Sequence, residues 1–157
     1  MISQSLRLSA AALFVVVGTG CKLGVPPRSA DPALDVSAEA VANARVVVTF
    51  FGEADPCQTT TKVEKMCRQA VESGFATELA SGALVYRVLC NTLPENDHFI
   101  DDYEIGEKAL VVARQQDGKE IEFVPCHDIW LTYEDPADLA AFNTGVQQPI
   151  REFLRKN

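Results

Sequence analysis

Apolar positions in this chain fall into short continuous runs separated by segments that repeat every three or four residues. Residues 45–51 (RVVVTFF) form a near-unbroken apolar run of strand length, which predicts a strand buried on both faces. The chain then passes through Gly52-Glu53-Ala54-Asp55-Pro56 into a stretch where Val63, Met66, Cys67, Ala70 and Val71 recur at helical spacing. An amphipathic helix is therefore predicted over 58–73, continuing through Phe75 and Leu79 to Gly82. Residues 83–89 (ALVYRVL) predict a second strand ending at Cys90, and 97–103 a short helix with Phe99 and Tyr103 on one face. A third strand is expected over 109–113 and a hairpin turn at Gln116-Asp117-Gly118-Lys119. A fourth strand over 120–124 (EIEFV) shows the alternation of a sheet edge. The last helix should open with Asp135 as cap and Pro136 at its first position, burying Leu139, Phe142, Val146, Ile150 and Phe153. Gly145 and Pro149 should weaken or kink it.

The N-terminal pattern is of another kind. Arg7, an apolar run over 8–17 and the small residues after it have the form of an export signal, and the run is too short to span a bilayer. Gly18-Thr19-Gly20-Cys21 resembles a bacterial lipobox, which implies an acylated Cys21 at the mature N-terminus; plain cleavage with Cys21 left as a thiol is the alternative. Residues 22–43 are rich in Pro, Ala and Ser without a sustained period and suit a tether, with 37–43 able to form a helical turn. The expected division is a signal over 1–20, an anchor and tether over 21–43, and one domain over 44–157. That division places the domain in the bacterial cell envelope, held to a membrane by lipid. With 14 Lys and Arg against 22 Asp and Glu, the net charge of −8 repels phosphate backbones and argues against nucleic-acid binding.

Chemistry concentrates at cysteine. Cys57 falls at or just before the start of the first long helix, where unpaired N–H groups and the helix dipole stabilise a thiolate. The nearby Glu53 and Asp55 are expected to oppose this by raising the thiol pKa. Cys57-Gln58-Thr59-Thr60 has the layout of a C-x-x-C redox motif with Thr60 in place of the second cysteine. A hydroxyl can donate to a thiolate but cannot close a disulfide, so dithiol cycling through this motif alone is excluded. Cys67, on the buried helical face, reads as a small apolar filler.

The order β-α-β-α-β-β-α predicts an α/β, thioredoxin-like domain with a four-stranded mixed sheet and helices on both faces. In a strand order of two-one-three-four, Cys57, Cys90 and Cys126 come to the same end of the sheet. Cys90 and Cys126 would stand about 14 Å apart, so Cys57 is the better disulfide or resolving partner for either. Acylating Cys21 leaves Cys57, Cys67, Cys90 and Cys126, an even number in a compartment that permits disulfides, with the pairing open. His98 and His127 lack paired metal-ligand spacing and read as surface or capping residues, so no metal and no cofactor is expected. Trp130 and Tyr133 read as core cover.

The stretches VVVTFFGEADPCQTTTKVE, FATELASGALVYRV, PENDHFIDDYEI, DGKEIEF and HDIW resemble the ArsF-type thioredoxin-like family, named as subunits of a nitrophenyl-compound nitroreductase. They cover nearly all of the domain. The resemblance implies a thiol-redox accessory subunit working with an envelope or membrane redox protein, around arsenic compounds in one version. Members of that family commonly carry Arg-Cys-x-x-Cys at this position. Here Pro56 and Thr60 depart from that pattern, and Glu107-Lys108-Ala109-Leu110 lacks the proline that thioredoxins place before the third strand. The activity implied is at most that of a monothiol oxidoreductase centred on Cys57. Two alternatives stand beside it: a non-catalytic module that docks to an envelope partner, and trivalent metalloid capture by Cys57, Cys90 and Cys126.

Overall fold

A computed structural model of the chain describes residues 36–134 and 138–156. The signal, Cys21, the tether up to residue 35 and the expected Asp135–Pro136 helix start lie outside the described residues. The fold is α/β, built on one mixed four-stranded sheet in the order β2-β1-β3-β4. The strands are β1 (Val46–Gly52), β2 (Leu84–Cys90), β3 (Ala109–Gln116) and β4 (Lys119–Pro125). β1 runs parallel to β2 and antiparallel to β3, and β4 returns antiparallel to β3. The sequence pattern anticipated this order and these directions.

Every residue of β1 is buried, as its unbroken apolar run requires. On one face Val46, Val48 and Phe50 pack against Val63, Cys67, Ala70 and Val71 of α2 (Gln58–Gly74). Phe142, Val146, Ile150 and Phe153 of α6 (Leu139–Arg155) complete that core. The opposite face carries two smaller clusters. Val47 and Val85 are covered by Val36, Ala40 and Val41, on and just before α1 (Ala38–Asn43); Phe51, Ala109 and Val111 are covered by Phe99, Tyr103 and Ile105, in and after α4 (His98–Asp102). Ser37 caps α1, its hydroxyl accepting from the Ala40 N–H at 3.1 Å. The packed unit thus takes in residues that the sequence assigns to the tether.

Between those two clusters the sheet face is polar. Thr49, buried in the middle of β1, accepts a 2.9 Å hydrogen bond from the Arg87 guanidinium on β2, and the Tyr103 hydroxyl donates to Glu120 at 2.5 Å. A bulge makes the second contact: Arg114 pairs with Glu122 but Gln115 with Glu120, leaving Ile121 as the extra residue of β4. The bulge, the charged Lys119, Glu120 and Glu122 and the terminal Pro125 blunt an edge strand that would otherwise recruit a further strand. The hairpin turn is the one expected, with Asp117 and Gly118 both at positive φ.

α3 (Ala76–Ala80) and α5 (Ile129–Thr132) are short connectors. α6 runs through Gly145 and Pro149 as one helix, and departs from expectation in leaving Leu139 half exposed. Pro149 has no N–H to offer the Gly145 carbonyl four residues before it, so one carbonyl inside the helix lacks its intrahelical partner. Two long-range contacts hold the helix. The Gln147 amide donates to the Ala70 carbonyl of α2 at 2.7 Å, and the Arg45 guanidinium donates to the Leu154 and Lys156 carbonyls at its C-terminal end. Trp130, packed between Phe50 and Tyr133, lies on the core as expected.

Phe50 is, with Phe142, among the largest fully buried side chains of the α2–α6 core. Phe50→Ala should cost about 3–5 kcal/mol in urea unfolding, whereas Leu131→Ala, at a residue 81% exposed, should stay within about 0.5 kcal/mol.

Candidate functional site

The C-terminal end of β1 delivers the chain through a five-residue loop to the N-terminus of α2, and Cys57 is the N-cap of that helix. Its backbone is extended (φ −66°, ψ 168°) and its carbonyl accepts from the Thr61 N–H at 3.0 Å and the Thr61 hydroxyl at 3.1 Å. The thiol is exposed and free. Its sulfur lies 3.2 Å from Oγ1 of Thr60, a residue only 2% exposed. The Thr60 methyl faces the end of β1: a Cβ placed on Gly52 would sit 3.7 Å from it. Thr60 is therefore held by packing with its hydroxyl toward the sulfur, in the place of a resolving thiol.

The Cys57 thiol is drawn below its usual 9.0, first by the hydrogen bond from the Thr60 hydroxyl and then by the backbone N–H of Thr60. Partial burial opposes this, and Lys108 and the Thr59 N–H add smaller pulls. The two N–H groups attract the sulfur without closing a complete capping hydrogen bond in the uncharged thiol. Against the expectation that Glu53 and Asp55 would raise this pKa, the net shift is downward and neither carboxylate is among its leading causes; Glu53 pairs at 3.2 Å with Lys108, which stands in the loop before β3.

Lys108 is held in place indirectly. The fully buried Asn91, just after β2, donates from Nδ2 to the Glu107 carbonyl at 2.8 Å and to the Gly106 carbonyl at 3.4 Å. Its backbone N–H donates to the Gly52 carbonyl at 3.2 Å. Asn91 so ties the ends of β1 and β2 to the loop that carries Lys108, where no proline is present and no peptide bond is cis. Tyr133 closes another side. Its hydroxyl donates to Glu134 at 2.6 Å, and Lys62 lies 5.6 Å over its ring. Lys108 was visible in the sequence only as the absence of a proline, and Asn91 carried no signal.

The other cysteines do not converge on Cys57. β2 ends beside β1 and β4 beside β3 at the same end of the sheet, but all four described cysteines are free. Cys126 continues the ladder, its N–H donating to the Leu110 carbonyl at 2.8 Å, and it is buried in the same core as Cys67. Burial pushes the Cys126 thiol up to about 12 and that of Cys67 well above its usual range, so both are inert. The preference for Cys57 as disulfide partner of Cys90 or Cys126 is thus not realised, nor is resolution by the buried Cys126. Cys90 is half-buried, its sulfur 3.1 Å from Thr92 Oγ1. Among the described residues no three Cys, His, Asp or Glu side chains are grouped to hold a metal ion, so the three-thiol metalloid site does not form. His98 and His127 are exposed, His98 lying 4.0 Å from Asp102. No helix among the described residues is long and apolar enough to cross a membrane.

Comparison of the chain with protein-family models, with curated proteins and with solved structures finds no match.

Two substitutions isolate the thiolate's supports. Alkylation of Cys57 by iodoacetamide, followed against pH, should show a midpoint below 9.0; Thr60→Val should move it upward and Lys108→Gln should move it upward by less. An unchanged midpoint in Thr60→Val would remove the hydrogen bond as its cause.

Proposed function

We propose that this protein is a monothiol redox accessory protein of the bacterial envelope, thioredoxin-like in fold, with Cys57 as nucleophile and Thr60 as its fixed hydrogen-bond donor. The observation that carries this reading is the exposed Cys57 sulfur at a helix N-terminus, 3.2 Å from a buried threonine hydroxyl. The resemblance to the ArsF-type family supports a subunit role beside an envelope or membrane redox protein. The apolar run over 8–17 and Cys21 support export and lipid anchoring.

Thiolate is the reactive form, and a pKa below the usual value enlarges its fraction at neutral pH. In the exchange step the Cys57 thiolate attacks one sulfur of a partner disulfide. A new S–S bond forms to Cys57, the old one breaks, and the other partner sulfur leaves as thiolate. Thr60 cannot reverse this, because its hydroxyl is not ionised at ambient pH. Cys67 and Cys126 are buried, so the mixed disulfide is released either by the half-buried Cys90 or, in the proposed mechanism, by an outside thiolate that restores Cys57.

The wild type should therefore accumulate mixed disulfides and turn over slowly in a disulfide-reduction assay without added thiol. Thr60→Cys keeps the Cβ and puts a sulfur where Oγ1 stands, so it should speed turnover by about ten-fold or more; Cys57→Ser should abolish trapping in both backgrounds. Rapid turnover of the wild type after Cys90→Ser would contradict the mechanism. No gain in Thr60→Cys together with an unreactive Cys57 would favour the non-catalytic docking module. The anchor is checked by mass spectrometry of the mature N-terminus, where a diacylglyceryl-modified Cys21 is expected; an unmodified Cys21 would remove the membrane assignment.

A further inference from the structure

The groove beside Cys57 carries a substrate preference. It has a volume of about 480 Å³ and is lined by Pro56, Gln58, Thr61, Lys62, Lys65 and Met66. Cys57 is not itself in the lining, but its two chain neighbours Pro56 and Gln58 are, which puts the groove next to the helix start that carries the thiol. Met66 and Pro56 supply apolar surface, and Lys62 and Lys65 are the only ionisable groups in the lining. Among the described residues neither lysine has a carboxylate within 4.0 Å, and Lys62 instead lies over the Tyr133 ring. The nearby acidic side chains are engaged or outside the groove. Glu64, between the two lysines in the chain, is paired with Arg68 at 2.6 Å, Glu53 is paired with Lys108, Glu134 accepts from the Tyr133 hydroxyl, and Asp55 lies exposed in the preceding loop. A chain of net charge −8 thus presents, among the described residues, two cations without a carboxylate partner next to the one exposed thiol.

We propose that this groove seats the anionic part of a small disulfide, so that Cys57 exchanges preferentially with low-molecular-weight disulfides bearing carboxylates. The inference rests on the monothiol reading above. One sulfur of the bound disulfide bonds to Cys57 while the other leaves as the thiolate of a carboxylate-bearing fragment. The retained half keeps its charge beside Lys62 and Lys65 until an outside thiolate displaces it. The groove is wide enough for one such half-molecule, and its methionine and proline surfaces suit a compact apolar body with a charged end.

The test compares three disulfides on the full chain, taking at each step the rate lost on Cys57→Ser. The probes are 5,5′-dithiobis(2-nitrobenzoate), which is anionic, neutral 2,2′-dithiodipyridine and cationic cystamine. In Lys62→Gln/Lys65→Gln the rate with the anionic probe should fall about five-fold, and that with the neutral probe should hold within about two-fold. The cationic probe should hold or gain, and raising the salt should shrink the effect of the double variant. Equal slowing with all three probes, or no change with any, overturns the groove as an anion site and leaves the monothiol reading standing. A Cys57 that fails to react even with the neutral probe overturns both.

Discussion

Burial of β1 on both faces is the constraint on which the rest of the structure depends. Val46, Val48 and Phe50 can leave water only if α2 and α6 cover one side, while Val47 and Phe51 need α1 and the α4 region on the other. That requirement fixes where the strand ends and how the next helix begins. Cys57 becomes the N-cap of α2 because the loop from Gly52 must turn the chain back across the strand it has just left. The position of the thiol is thus a consequence of core packing rather than of any contact the thiol makes.

Given that position, the balance of forces at the sulfur is local. A helix N-terminus alone favours the thiolate modestly, and here the larger contribution comes from a hydroxyl that packing holds 3.2 Å away. The residue that supplies the hydroxyl stands where a C-x-x-C motif has its resolving thiol. In the proposed exchange mechanism nucleophilicity and self-release are therefore separated, the first carried by Cys57 and the second left to an outside partner. Lys108, paired with Glu53, contributes less, and Asn91 ties down the loop that carries it.

Much of this was legible in the sequence. The unbroken run at 45–51 and the helical spacing from Val63 to Val71 identified β1 and α2, and the Asp117-Gly118 turn identified the hairpin. Each is a local signal of residue period or turn chemistry. Less legible was which face a side chain takes at the end of a strand. Topology brought Cys126 to the end of the sheet that holds Cys57, yet backbone pairing with Leu110 turns it into the core beside Cys67. Sequence proximity also misled at Glu53, whose partner Lys108 lies more than fifty residues on. The bulge at Ile121, which lets Glu120 meet Tyr103, had no marker in the alternating EIEFV pattern.

Differential alkylation of the natively produced protein, read by mass spectrometry before and after unfolding, tests the account most directly. The account predicts that Cys57 is modified within minutes in the folded protein, that Cys67 and Cys126 are modified only after unfolding, and that no disulfide joins any of the three. A Cys57 bridged to another cysteine of the chain, or one protected until unfolding, would contradict it.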